Sequence, residues 1–301
     1  MHPSPPAHPL GLIGIGLLGS VLAERLLAGG FVVRGYDLDP ARLDAFGQRG
    51  GTPAPDAATV LATSRRVLLS LPSHREVTAL LAAQAGPLQP GLIVVDTTTG
   101  DPAAAEVLAR HLTRRGITYL DATVSGSSAQ VRDGAAIMMV GGDADAFAGC
   151  RDIFSRLGCA IHYTGPSGTG AKMKLVTNVV LGLNRAALAE GLALARGLGL
   201  DPSLALTIMR QGPAYSRMMD SKGAKMITGE FTPEARLSQH LKDVRLILEH
   251  GHAAGLPMPL STAHRAVLEA AEAAGFGALD NSAIIQVLGS TRDLAKAESA
   301  P

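Results

Sequence analysis

Between Leu10 and Leu27 the chain passes from a short apolar run, through a glycine-rich turn, into an apolar stretch of helical spacing. The turn reads Gly14-Ile15-Gly16-Leu17-Leu18-Gly19. Gly14 permits a tight bend, Gly16 lets backbone approach a pyrophosphate, and Gly19 lets the helix pack on the strand. The N-terminus of the helix then offers unpaired N–H groups and the positive end of its dipole to phosphate. Glycines alone are weak evidence in a chain that holds 35 of them. The next strand adds a second signal, because Phe31-Val-Val-Arg-Gly-Tyr36 runs straight into Asp37. An acidic side chain about 20 residues past the glycines grips a ribose 2′-hydroxyl and repels a 2′-phosphate. NAD is therefore favoured over NADP. Arg34 and Arg42 lie close enough in sequence to keep NADP possible. The competing reading of Asp37 is an ordinary turn residue before Asp39-Pro40.

Apolar strands and helical segments then alternate. Strands are expected at Leu10–Ile15, Phe31–Tyr36, Arg66–Leu71, Leu92–Asp96, Ile117–Leu120 and Ala136–Val140. Helices are expected over 17–27, 40–48, 75–84, 102–115 and 143–157. This alternation predicts an α/β, Rossmann-type doubly wound sheet. Ligands of such sheets sit at the carboxyl ends of the strands. That places Leu71, Pro72 and Ser73, and the run Asp96-Thr97-Thr98-Thr99, beside the cofactor. A Ser/Thr-rich helix cap is the alternative for the threonines. The loop Asp121-Ala-Thr-Val-Ser125-Gly126-Ser127-Ser128 exposes N–H groups among small hydroxyl side chains, which suits a carboxylate; a plain loop is the alternative.

After Gly165-Pro166 the pattern becomes helical only, over 170–197, 202–211, 214–227, 234–254, 258–274 and 280–289. The expected domains are a disordered segment at 1–9, a nucleotide-binding domain at 10–166, an all-α domain at 167–289 and a flexible tail at 290–301. The longest helix, between Gly168 and Gly199, is apolar on nearly every face and is expected to be buried almost all round. Lys174 and Asn178 are two of its few polar residues, and i, i+4 spacing puts them on one face while Lys172 points the opposite way. A buried lysine costs several kcal/mol unless paired or neutralised; the bland alternative is a lysine snorkelling to the surface.

Composition narrows the partners. The net charge is +1, with 3% aromatic residues and no Trp, which disfavours nucleic acid and anionic membrane. Cys150 and Cys159 have no metal spacing, and no metal site is indicated; a reduced cytoplasmic setting is the economical reading. The first nine residues carry no Lys or Arg, against a signal peptide, and no long uninterrupted apolar run suggests a membrane span.

The chain resembles the β-hydroxyacid dehydrogenase family over roughly residues 10–289. Four motifs carry the resemblance, in the family's order: LGLIGIGLLG, DATVSGSSAQVRDGAAIMMVGG, GPSGTGAKMKLVTN and FTPEARLSQHLKD. The resemblance implies a Rossmann domain joined to an all-α domain through a shared long helix, and a homodimer or homotetramer. It implies hydride transfer between NAD(P) and a short 3-hydroxy acid or its semialdehyde. Lys174 would be the catalytic acid/base, and Asn178 the helix partner that holds substrate. Ser125 and Gly126 would bind the substrate carboxylate, with Ser127 beside them, and Thr98 would stand near the nicotinamide. Lys242 would close over the cofactor, and Asp243 would orient that loop. Thr123, Ser127 and Thr177 depart from the family pattern, and all three are expected around the substrate. Imine reductases and non-catalytic cofactor-binding homologues are rival readings, and the presence of Lys174 counts against both.

Overall fold

A computed structural model describes residues 8–82, 88–158 and 160–289. Most of the expected 1–9 segment, the 290–301 tail, Cys159 and the end of the helix expected over 75–84 lie outside the described residues. The chain divides into two compact units, Met1–Lys174 and Leu175–Pro301.

In the first unit the order is β1 (Leu10–Ile13), α1 (Leu17–Ala28), β2 (Val33–Tyr36), α2 (Pro40–Gln48), β3 (Thr52–Pro53), α3 (Ala57–Thr63), β4 (Arg66–Leu69) and α4 (His74–Ala82). Then come β5 (Ile93–Asp96), α5 (Pro102–Thr113), β6 (Thr118–Ser125), α6 (Ser128–Arg132), β7 (Ile137–Gly141), α7 (Ala144–Gly149), α8 (Arg151–Leu157) and β8 (Ala160–Gly165). The strands form a single sheet in the order β3-β2-β1-β4-β5-β6-β7-β8. Pairing is parallel from β3 to β6, β7 runs antiparallel to β6, and β8 is parallel to β7. The strands read as apolar runs because both faces are covered. Leu12, Leu68 and Val95 pack into one core with α1 and α8; Ile13, Val67, Leu69 and Val94 pack into the other with α3, α4 and α5.

The sequence pattern missed β3 and β8. A two-residue strand has no periodicity to detect, and Ala160–Gly165 is only partly buried, so it lacks an apolar signature. The helix expected over 143–157 is two helices, broken at Cys150. Several helices start from Asp-Pro, with the aspartate accepting an N–H of the first turn and proline at the first helical position: Asp39-Pro40, Asp101-Pro102 and Asp201-Pro202.

Helix α9 (Thr169–Gly197) runs from the first unit into the second. It is followed by α10 (Pro202–Gln211), α11 (Arg217–Thr228), α12 (Leu237–Ala253), α13 (Pro259–Ala271) and α14 (Ile285–Leu288), with a π turn and a 3-10 turn between the last two. Leu188, Leu192, Leu206, Met219, Leu241, Leu248 and Leu268 form the core of this unit. Within the single chain α9 is not buried almost all round as expected: Val176 is 60% exposed, and Val180 and Leu194 are similarly open. An apolar helix packs only the face its own unit covers, whatever its composition.

The second unit is braced by a buried ion pair. Lys222 Nζ lies 2.9 Å from Asp280 Oδ2 and 3.1 Å from Glu234. The same Asp280 accepts N–H groups of Glu234 and Ala235, and its other oxygen accepts from Ser282. Burial pushes the Asp280 carboxyl up, but the Ser282 and Lys222 bonds together outweigh it and hold it below its ordinary value. A carboxyl depressed in the folded state stabilises above its unfolded pKa and loses that contribution as pH falls through the folded one. Asp280→Asn leaves a buried lysine short of its partner and should cost about 3–5 kcal/mol near neutrality. Urea unfolding should show the gap between wild type and variant narrowing below about pH 4. A gap independent of pH would mean the loss is packing rather than charge.

Candidate active site

The strand order reverses between β1 and β4, and the glycine turn sits at the carboxyl ends of these two strands. Gly14 has φ +92°, and a Cβ there would stand 2.2 Å from the Ser70 carbonyl oxygen. A Cβ on Gly19 would stand 1.9 Å from the Gly14 carbonyl oxygen. Gly16 is different: the nearest atom to its Cβ position is Arg42 Nη1, at 3.7 Å. Two glycines are thus demanded by packing, whereas the middle one leaves room for an incoming group. No side chain caps α1, whose first residues are Leu17 and Leu18. Its opening N–H groups and open backbone therefore fit the phosphates of a dinucleotide.

Asp37 closes this turn from the end of β2. Its Oδ2 accepts the Ile15 N–H at 2.6 Å and its Oδ1 the Asp39 N–H at 2.9 Å. Arg42 Nη1 lies 3.7 Å from the same carboxylate and also pairs with Asp39. A carboxylate has about four acceptor sites, so capacity for a ribose hydroxyl remains.

At the next strand ends the Leu71 N–H donates to Thr98 Oγ1 at 3.1 Å, with Pro72 turning the chain beyond it. The Thr98 N–H donates to Asp96 Oδ1, and the Tyr119 hydroxyl donates to Asp96 Oδ2 at 2.6 Å. Burial raises the Asp96 carboxyl, and burial with the adjacent Asp96 raises the Tyr119 hydroxyl well above its ordinary value, so tyrosine stays the donor. The threonine run caps no helix, since Asp101 caps α5. It ties β4 to β5 and presents Thr98 from a fixed backbone.

Strand β6 is longer than the pattern indicated and carries the chain to Ser125. Gly126 follows with φ +143°, and a Cβ there would lie 2.9 Å from that of Ala136. Two hydroxyl side chains here also have structural partners. The Ser127 hydroxyl accepts the Gln130 N–H, and the Ser127 backbone N–H donates to Gln130 Oε1 at 2.8 Å, so Ser127 forms the capping box of α6 and keeps its hydroxyl proton to donate. The Thr123 hydroxyl donates to the Gly170 carbonyl at 2.9 Å and is a stitch between β6 and α9.

A second stitch sets where α9 begins. Asp121 Oδ1 accepts the Gly168 N–H at 2.7 Å and Oδ2 the Ala171 N–H at 2.8 Å. Burial raises this carboxyl, against the pull of those N–H groups. The space is so tight that a Cβ on Gly170 would lie 2.4 Å from the Asp121 carbonyl oxygen. One turn on, Lys174 is 9% exposed and its ammonium donates to the Val124 carbonyl at 2.7 Å, next to Ser125. Lys172 points elsewhere, as its spacing requires, and pairs with Glu106 on the surface.

In the second unit Asn178 is buried and its Nδ2 donates to Asp243 Oδ2 at 3.1 Å. Asp243 lies within α12, not in a loop as expected, and accepts a bond from a side chain of α9. Lys242 precedes it on α12 and is partly buried. Arg185, 1% exposed, went unnoticed in the sequence. Its i+7 spacing from Asn178, on the same face, was the available signal.

Residues 9–165 match the NAD binding domain of 6-phosphogluconate dehydrogenase, and residues 168–288 the NAD-binding domain of NADP-dependent 3-hydroxyisobutyrate dehydrogenase. The chain belongs to the β-hydroxyacid dehydrogenase family. It is 31% identical to L-threonate dehydrogenase of Cupriavidus necator, over 92% of this chain and 95% of that one. It is also 31% identical to 2-(hydroxymethyl)glutarate dehydrogenase of Eubacterium barkeri, over 92% and 94%. In structure it superposes on a 3-hydroxyisobutyrate dehydrogenase of Salmonella typhimurium with a TM-score of 0.86, at 24% identity, over 93% of this chain and 99% of that one. As a β-hydroxyacid dehydrogenase it is a nicotinamide-dependent oxidoreductase, and the open backbone at Gly16 and the Asp37 carboxylate fit that cofactor.

Asp121→Ala removes both acceptors from the start of α9 and leaves two buried N–H groups unpaired. We expect a loss of about 2–4 kcal/mol in urea unfolding. An unchanged midpoint would show that the first turn of α9 is held by its packing alone.

Proposed function

We propose that this β-hydroxyacid dehydrogenase interconverts a short 3-hydroxy acid and its semialdehyde, with NAD as the preferred cofactor and Lys174 as general acid/base. The observation that carries the reading is the buried Lys174 ammonium on the Val124 carbonyl, beside the Ser125-Gly126 turn. Bound nicotinamide supplies the hydride chemistry. Gly14, Ile15, Gly16, Leu17, Leu18 and Gly19 would hold its phosphates, Asp37 its ribose, and Leu71, Pro72 and Thr98 the nicotinamide end, with Lys242 contributing from α12.

The protein's own task is the proton. In oxidation Lys174, with its amine neutral, takes the proton of the substrate hydroxyl; in reduction its ammonium returns it and stabilises the developing alkoxide. Arginine could not serve, being charged at any working pH. The N–H groups about Ser125 and Gly126 suit the substrate carboxylate. Asn178, one turn beyond Lys174 on α9, holds the substrate. Exposed Leu194, Leu198, Leu204 and Ile208 support a homodimer or homotetramer. A cytoplasmic setting agrees with the sparse cysteines, and among the described residues no helix is long and apolar enough to cross a membrane.

The test is nicotinamide absorbance with NAD or NADP against 3-hydroxyisobutyrate, glycerate, serine, 4-hydroxybutyrate, 3-hydroxypropionate and threonate. On whichever acid turns over best, Lys174→Ala should lower kcat by ~100-fold or more while NAD still binds. Near-normal turnover would remove Lys174 from the chemistry. Asp37→Ala should shrink the NAD-over-NADP ratio of kcat/KM by about tenfold. An unaltered ratio would assign cofactor choice to Arg42 or the neighbouring turn.

A further inference from the structure

Behind Asn178 a polar seam lies buried in the second unit. On α9, Asn178, Gly182 and Arg185 follow at helical spacing along one face. Asn178 meets Asp243 of α12. At Gly182 a Cβ would stand 2.7 Å from His240 Nε2 and 2.8 Å from His264 Cε1, so glycine there admits the two imidazoles, whose rings are 5.2 Å apart. Arg185 Nε and Nη2 are buried without a hydrogen-bond partner, and its charge acts on Asp243 and Asp280. Burial, reinforced by Arg185, holds His264 down to about 4, so this imidazole is neutral beside the guanidinium near pH 7.

We infer that Asp243 is a positioning residue that locks the Asn178 amide so that its Oδ1, and not its NH2, is presented to the substrate. A carboxylate offers acceptors only, so the amide group turned towards Asp243 must be the Nδ2 donor. Asn178 Oδ1 is then turned away from Asp243 as an acceptor, with the second Nδ2 hydrogen beside it. That oxygen suits a hydroxyl donor of the substrate and disfavours a carboxylate oxygen, which leaves the acid group to the Ser125-Gly126 turn. The inference rests on the proposed role of Asn178 in holding substrate.

A double-mutant cycle tests it, with the best acid of the panel above. Asn178→Ala should lower kcat/KM by about 100-fold, and Asp243→Asn by about tenfold or more in the native background. In the Asn178→Ala background Asp243→Asn should change kcat/KM by less than about twofold, because a residue acting through another has nothing left to orient. Effects that multiply would overturn the inference. Full turnover by Asn178→Ala would end the role of Asn178, and this inference with it, while leaving the Lys174 chemistry standing. Should Asp243→Asn not fold, the native protein still decides the matter. It holds three asparagines, Asn178, Asn184 and Asn281, so asparagine-selective 15N labelling resolves the side-chain amides. One Asn178 Nδ2 proton, identified by its loss in Asn178→Ala, should lie downfield of those of exposed Asn184. Both protons at the Asn184 position would refute the Asp243 bond.

Discussion

One carboxylate fixes the geometry on which the proposed chemistry depends. Asp121, in the middle of β6, accepts the N–H groups of Gly168 and Ala171 and so determines the residue at which α9 starts. A helix advances 100° per residue, and a start shifted by one position would turn every later side chain by that angle. Thr123, two residues along the same strand and on the same face, adds a bond to the Gly170 carbonyl. Lys174 then reaches the Val124 carbonyl of this same strand. Strand β6 thus supplies the helix cap, the stitch, the lysine's anchor and, at its end, the Ser125-Gly126 turn.

The sheet places the nucleotide crevice by a comparable economy. Gly14 and Gly19 are required because β1, β4 and α1 approach too closely for any Cβ, whereas a Cβ at Gly16 would meet only the end of the Arg42 side chain, at 3.7 Å. Asp37 holds the turn through Ile15 and remains near Arg42. Thr98 is held by a chain of bonds running back to Asp96 and Tyr119, both buried. The residues proposed to bind cofactor are thus held at the ends of buried strands.

The helical unit handles buried charge in a different way. Lys222 donates to Asp280 and Glu234, and Asp280 also accepts from Glu234, Ala235 and Ser282, which braces the chain between α11 and α14. The seam of Arg185, His240, His264 and Asp243 is less saturated, with donors left unpaired on Arg185. Buried polar groups left without partners are costly in a low-dielectric interior.

Much of the molecule was legible in the sequence, for identifiable reasons. Apolar runs with both faces buried announced the strands, Gly14 to Gly19 with Asp37 announced the nucleotide crevice, and i, i+4 spacing put Lys174 and Asn178 on one face. These signals are local, depending on the chain's own periodicity and backbone freedom. Tertiary structure decided what depended on distant partners. Ser127, expected to bind, also caps a helix, and Thr123, expected near the substrate, stitches β6 to α9. Asp243 looked like part of a loop and is the acceptor for Asn178, 65 residues away. The apolar composition of α9 likewise could not say which of its faces would be covered. A side chain's chemistry is written in its residue type, but the group that consumes its hydrogen bond is set by packing, and packing brings together residues that no local pattern connects.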